Sequence, residues 1–268
     1  MIRSPNRPNS EPLTCALPLG LLVHSVRERQ AVLRNSGEDL QLRLLDLDFA
    51  LPRERALSKA LSICVEQIGS VRDPSAELME ELTLPDRHAL VHALLLTWQT
   101  TEISQPATCG QCGHKLELTF DLREIVLPRI SDSGKVPLTR RKKKGGVDSI
   151  ELLLPKAKEF SAAPDELSLL ASCLNCSHGE ARPWMGLAEE ALARLDPLSE
   201  LEILGKCMDC SANATVRIDP VAYWMSTVRT ASAALLQDIH TLAMRYHWSE
   251  QEILKLPEVR RQAYLELT

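Results

Sequence analysis

The same short pattern occurs twice in this chain. Cys109-x-x-Cys112 is followed by Leu116, Leu118, Phe120 and Asp121, and Cys207-x-x-Cys210 is followed by Ala214, Val216, Ile218 and Asp219. Each member of the second set lies 98 positions after its counterpart (207 against 109). In both copies a cysteine knuckle feeds a stretch of alternating apolar residues, the period of a half-buried strand. A single CxxC is a weak signal, because redox pairs share it. Two copies with matching strands describe a zinc ribbon, in which Cys109, Cys112, Cys207 and Cys210 place four thiolates around one tetrahedral Zn2+. The two halves must then meet in space, and the residues between them form an insertion.

Composition narrows the class further. The chain has 268 residues, 44% of them apolar, enough for one large domain or two small ones. A net charge of −5 does not point to nucleic acid. No charge-poor stretch of about 20 residues is present, so no membrane span is expected. The run from Leu13 to Val23 is interrupted by Pro18 and Gly20, and no small-residue cleavage site follows it, so no signal peptide is expected either. Eight cysteines in a cytosolic-looking chain fit metal better than disulfides. Cys15 and Cys64 lie in apolar surroundings and read as buried thiols.

A third pair, Cys173-Leu-Asn-Cys176, is not followed by an alternating strand. Cys176-Ser-His178 echoes Cys112-Gly-His114, so His114 and His178 are further potential ligands. Three readings stay open for this pair. It binds nothing, it joins a second, incomplete site with a histidine, or it displaces one of the two repeated knuckles.

The periodicity predicts an α+β fold, with helical N- and C-terminal parts around a small antiparallel sheet that carries the ribbon. Residues 1–14 read as a flexible tail, 15–106 as mainly helical, 107–220 as ribbon and sheet with inserted helices over 163–205, and 221–268 as a long helix with a helical tail. Leu57, Leu61, Cys64 and Ile68 recur at helical spacing, with Gly69 as the stop. Leu40 to Leu47 fits strand or helix. A helix is expected from about Asp86 to Trp98; His88 and His92 on it are four apart, a spacing that can bind metal, and an ordinary surface or packing role is the plainer reading for both. Short helices are expected from Pro164, over Pro183–Leu195 and over Pro197–Leu204. Asp219 and Pro220 open the longest helix, which carries a stripe from Val221 to Tyr246 over roughly 39 Å. Ser249-x-x-Glu252 is a capping box. Beyond Pro257, Val259, Ala263 and Leu267 align, leaving Arg260 and Arg261 as an exposed cationic pair.

Catalytic motifs are missing. The chain has no Gly-rich phosphate loop, no HExxH and no GxSxG. A redox CxxC sits at a helix start, whereas Cys109 and Cys207 precede strands. No enzyme is expected. Nucleic-acid binding draws only on Lys115, Phe120, Arg217 and the basic run Arg140, Arg141, Lys142, Lys143, Lys144, whose plainer reading is a solvated hairpin tip.

The C-terminal run Ile239-His-Thr-Leu-Ala-Met-Arg-Tyr-His-Trp-Ser-Glu-Gln-Glu-Ile-Leu-Lys-Leu-Pro-Glu-Val-Arg-Arg-Gln-Ala-Tyr-Leu-Glu-Leu resembles the signature of the T4-type baseplate hub protein or hub assembly chaperone family. That family occurs in contractile phage tails and phage-tail-like injection systems. Leu17-Pro-Leu-Gly, Leu84-Pro-Asp-Arg-His-Ala-Leu and both repeated knuckles are similar to further patches of the family. The pair Cys173/Cys176 and the length of the basic loop depart from its pattern. The resemblance implies a non-enzymatic baseplate component contacting hub, spike or tail-tube initiator proteins. It would be cytoplasmic during assembly and then part of the particle, or else an assembly chaperone absent from the mature particle. Arg140 to Lys144, Trp248, Arg260, Arg261 and Tyr264 are the candidate partner-binding residues.

Overall fold

The computed structural model describes residues 13–35, 37–48, 50–98, 101–141, 146–199 and 201–267. Strands β1 (Leu13–Val23) and β2 (Val26–Leu33) form an antiparallel hairpin. Helices α1 (Glu38–Leu45) and α2 (Arg53–Cys64) follow, and β3 (Val65–Ile68) and β4 (Val71–Arg72) complete a sheet of order β1-β2-β3-β4. Next come α3 (Ala76–Glu80), α4 (Leu84–Trp98), and the hairpin of β5 (Glu102–Thr108) and β6 (Lys115–Asp121). The insertion holds the hairpin of β7 (Lys135–Arg141) and β8 (Val147–Leu153), then α5 (Ala157–Ala162), α6 (Glu166–Leu174), α7 (His178–Ala181) and α8 (Met185–Leu195). A third two-stranded ribbon, β9 (Leu201–Lys206) with β10 (Asn213–Ile218), leads into α9 (Pro220–Tyr246), α10 (Glu250–Leu254) and α11 (Glu258–Glu266). The molecule is α+β with several small antiparallel sheets. Among the described residues no helix is long and apolar enough to cross a membrane.

Four expectations need correcting. The stretch 15–106 is not mainly helical, because its helices share it with the four-stranded sheet, and residues 13 and 14 already belong to β1. The helix from Arg53 stops at Cys64. Val65 and Ile68 fit the helical spacing equally well, but the open edge of β2 recruits them, pairing Leu33 with Val65 and Ala31 with Ile68. Gly69 therefore sits in a hairpin turn at φ +53° rather than at a helix end. The stretch Pro197–Leu204 is not a helix, since Leu201 to Lys206 is the partner strand of β10. Leu40 to Leu47, open on sequence, is mostly α1. The rest of the tail over 1–12 lies outside the described residues.

The irregularity inside β1 has a physical cause. Pro18 has no N–H to give, and Gly20 takes φ +84°, so the register with β2 shifts between Ala16 and Leu21. The amides freed there do not go unpaired. Asp86, fully buried on α4, accepts from Leu19 N–H at 2.8 Å and Gly20 N–H at 2.9 Å, and from the Thr83 hydroxyl at 2.6 Å. A buried carboxylate with three donors is tolerated where a bare one would not be.

The main core joins this sheet to α2, α4 and the first turns of α9, with Leu61, Leu90, Leu94 and Trp224 at its centre. The inner faces of the two knuckle hairpins belong to the same core through Ile103, Leu118, Ile203 and Ile218. Fully buried Arg87 crosses it, donating to Glu54 Oε2 and Glu54 O at 2.8 Å each. A second core lies within the insertion, where Leu138 and Leu152 meet Leu170, Leu174, Trp184 and Ala188. A third, around Leu235, Ile239, Leu242 and Ile253, fastens α10 and α11 to the far half of α9.

Candidate metal centre

Each repeated knuckle is the tip of a complete hairpin. The strands leading in, β5 and β9, pair in full register with those leading out. Ile103 faces Phe120 in the first hairpin, and 98 positions later Leu201 faces Ile218 in the second. The repeat extends to single hydrogen bonds. Cys109 N–H donates to His114 O at 2.8 Å and Gly113 N–H to Cys109 O at 2.9 Å, while Cys207 N–H donates to Ala212 O and Ser211 N–H to Cys207 O, both at 2.9 Å. Gly113 at φ +74° and Ser211 at φ +58° occupy the same left-handed position. The hairpins approach closely because Gly205 has no side chain; a Cβ there would lie 2.3 Å from Leu118 Cδ2.

The two tips bring four sulfurs together. Cys109 Sγ lies 3.6 Å from Cys210 Sγ, and Cys112 Sγ lies 3.6 Å from Cys207 Sγ. All four ligand atoms fall within 4.8 Å of one another. A tetrahedron with metal–sulfur bonds of about 2.3 Å requires sulfur–sulfur separations of about 3.8 Å, whereas a disulfide needs about 2.05 Å. The cluster therefore fits one metal ion such as zinc and does not fit two disulfides. Cys109 and Cys207 are buried, and Cys112 and Cys210 are exposed.

The thiols are electrostatically unequal. Amide N–H groups of Cys112 and Gln111 directed at Cys109 bring its pKa down to about 6. For Cys112 the His114 amide pulls downward, but the sulfurs of Cys210, Cys207 and Cys109, together with desolvation, push it up to about 12. Cys210 is raised as well, with Cys109 and Cys207 opposing the pull of the Ala212 amide. Four adjacent thiolates repel one another, and a divalent cation relieves that repulsion while displacing protons. Four protein ligands complete a tetrahedral shell, so an ion held here would join hairpins rather than present an open position to a substrate.

Other candidates are placed elsewhere. His114 Nδ1 lies 2.7 Å from Asp209 Oδ2, a contact that ties one knuckle to the other rather than adding a ligand. Cys173 and Cys176 do not join the cluster. They end α6 as a Schellman motif: Asn175 is left-handed at φ 50°, Asn175 N–H donates to Ser172 O at 3.1 Å, and Cys176 N–H donates to Ala171 O at 3.0 Å. Burial raises the Cys173 thiol to about 11. The reading in which this pair displaces a knuckle is overturned. His178 starts α7 at the surface, outside any cluster of ligands among the described residues. His88 Nδ1 meets Asp196 Oδ2 at 2.7 Å, and His92 Nε2 meets Leu122 O at 2.8 Å, so both pack.

The partner-binding candidates divide. Arg140 lies 4.4 Å above the Trp184 ring and 3.2 Å from Asp148 Oδ2, closing the second core. Arg141 is exposed at the end of β7, and Lys142, Lys143 and Lys144 lie outside the described residues. Trp248 stacks on Tyr246 at 4.8 Å, and Tyr264 meets both rings edge-on at 4.9 and 5.4 Å. Arg260 is exposed, but Arg261 is only 4% exposed, with its Nε 3.9 Å from Asp238 Oδ2. The expected exposed pair is thus corrected, because α11 turns Arg261, Tyr264 and Leu265 toward α9 and sends Val259 and Leu267 outward. A long arginine stem covers apolar surface as readily as valine does, and here Asp238 lies beside its charged end.

Sequence reasoning missed β5 and β9. The faint signals were Ile103 with Ala107, and Leu201 with Ile203, each alternating for only two or three positions. The contacts of Asp86 with β1 and of Arg87 with Glu54 had no sequence signal, because those partners lie far along the chain. No protein-family model, curated protein or solved structure matches this chain.

Proposed function

We propose that this chain is a non-enzymatic structural protein whose fold is held by a zinc ion on Cys109, Cys112, Cys207 and Cys210, and that it serves in the baseplate of a contractile phage tail or related injection particle. The observation that carries the scaffold reading is the four-sulfur cluster, formed by residues 95 and 101 positions apart at the tips of two hairpins whose inner faces belong to the main core. The baseplate reading rests on the residue pattern of the C-terminal run. The arrangement suits that reading, since α10 and α11 form a small fixed unit on α9. A role as an assembly chaperone, absent from the finished particle, uses the same features.

A nucleic-acid adaptor is less favoured. On the ribbon, Arg217 Nε is held at 2.7 Å by Glu202 and Phe120 packs toward the core, while Arg140 is engaged within the insertion. Purified protein should contain one zinc per chain by elemental mass spectrometry, and Cys109→Ser should lose it. In the source cells, a tagged chain should co-purify with hub, spike or tube-initiator proteins. Its presence in mature particles marks a subunit, and its absence together with blocked assembly marks a chaperone. Zinc-free protein that keeps its full melting temperature would overturn the scaffold role, and recovery with none of those proteins would overturn the baseplate role.

A further inference from the structure

The tip of the first hairpin combines three features that the metal centre does not use. The turn joining β1 to β2 has only two residues, His24 at φ 45° and Ser25 at φ 67°. Both are left-handed, a conformation normally left to Asn and Gly because other side chains are strained in it. The flanking Leu22 and Val26 are 56% and 58% exposed. Beside them a concavity of about 410 Å3 is lined by Leu22, Ser25, Val26, Arg27, Arg29, Arg129 and Asp132.

The charge in this cleft is unbalanced, with three guanidinium groups facing one carboxylate. Arg29 pairs with Asp132 and donates to Ile130 O at 2.7 Å, which fixes the 129–132 loop against the hairpin. Arg27 donates to Asp132 O at 3.1 Å and to Gly20 O at 3.2 Å, two of its five N–H groups. Arg129 is exposed, and among the described residues no hydrogen bond or ion pair engages it. Arg27 and Arg129 therefore retain donors directed at solvent, next to the uncovered side chain of Leu22, the cross-strand neighbour of Arg27.

We infer that this cleft docks an acidic segment of a partner protein, its carboxylates meeting Arg27 and Arg129 and an aliphatic side chain covering Leu22, which faces Arg27 across the hairpin. Charge complementarity selects this occupant. Single-stranded nucleic acid would require aromatic platforms, and no aromatic residue lines the cleft. The chain's own residues 1–12 carry Arg3 and Arg7 against Glu11, the wrong sign for the site. The cleft is separate from the metal centre, so the inference stands whether or not the baseplate reading holds.

Fluorescence anisotropy on the full chain tests it, with a short labelled peptide alternating Leu with Glu as the probe. Binding should weaken with added salt and fall at least about tenfold in Arg129→Glu. It should fall in Leu22→Ser and for a peptide in which Ser replaces each Leu. Arg55→Glu, the same charge change on the exposed side of α2, should leave binding intact. Equal loss in Arg129→Glu and Arg55→Glu, absence of binding, or tighter binding of an oligothymidylate would overturn the inference. Self-association abolished by Arg129→Glu would assign the cleft to a second copy of the chain and overturn it as well.

Discussion

Gly20 shows how narrowly a single position can be constrained. A Cβ there would lie 2.5 Å from the backbone oxygen of Glu28, and its φ of +84° is already costly for any side chain. Gly20→Ala should destabilise the protein by about 3 kcal/mol, read as a lower urea midpoint at unchanged slope. Asp86 holds the same bulge from the opposite side. Asp86→Ala strands two buried amides and should cost about 2–5 kcal/mol, while Asp86→Asn, which keeps an acceptor oxygen, should cost less. The opposite sign is expected at Ser211, which occupies the left-handed position that glycine holds in the first knuckle. Ser211→Gly should raise stability by about 0.5–1 kcal/mol and leave metal content unchanged.

At the scale of elements, legibility followed how local the determining interaction is. The helix from Pro220 to Tyr246 was readable because its N-cap, its proline and its apolar stripe all lie within it, and the Ser249 capping box likewise. The knuckles and β6 and β10 were readable because the pattern repeats. The sheet at the N-terminus and strands β3, β5 and β9 were not, because what makes them strands is the neighbouring edge each one completes. The four cysteines that cluster were legible because the knuckle recurs together with its downstream strand, but the sorting of Cys173 and Cys176 was not, since CxxC describes a helix end and a metal knuckle equally well. The facing of α11 was misread for a related reason, as its apolar stripe is less informative than the position of Asp238 on α9. Tyr264→Ala should release this helix, seen as a shift in tryptophan emission and a loss of about 2 kcal/mol, without altering zinc content.

For the whole molecule, the thiols set a pH dependence whose sign can be worked out. In the metal-free protein Cys109 has its pKa lowered to about 6, so its contribution is complete above the unfolded value of 9.0 and lost as pH falls through about 6. Cys112, raised to about 12, contributes fully below 9.0 and loses that contribution as pH rises toward about 12. Melting temperature without metal should therefore climb between pH 6 and 9 and decline above it. With metal bound, acid acts differently, because protons compete for the sulfurs and the ion should be released to a chromogenic chelator as pH drops.

The sulfur cluster also has a mechanical consequence. An ion held at the two hairpin tips closes a covalent ring, since Cys112 and Cys207 are 95 positions apart. Tension applied between the chain ends would pass through the ion and leave the enclosed insert slack. In a single-molecule pulling trace, the ring should withhold roughly 320 Å of extension while the ion stays, and surrender it in one step once a chelator strips the node.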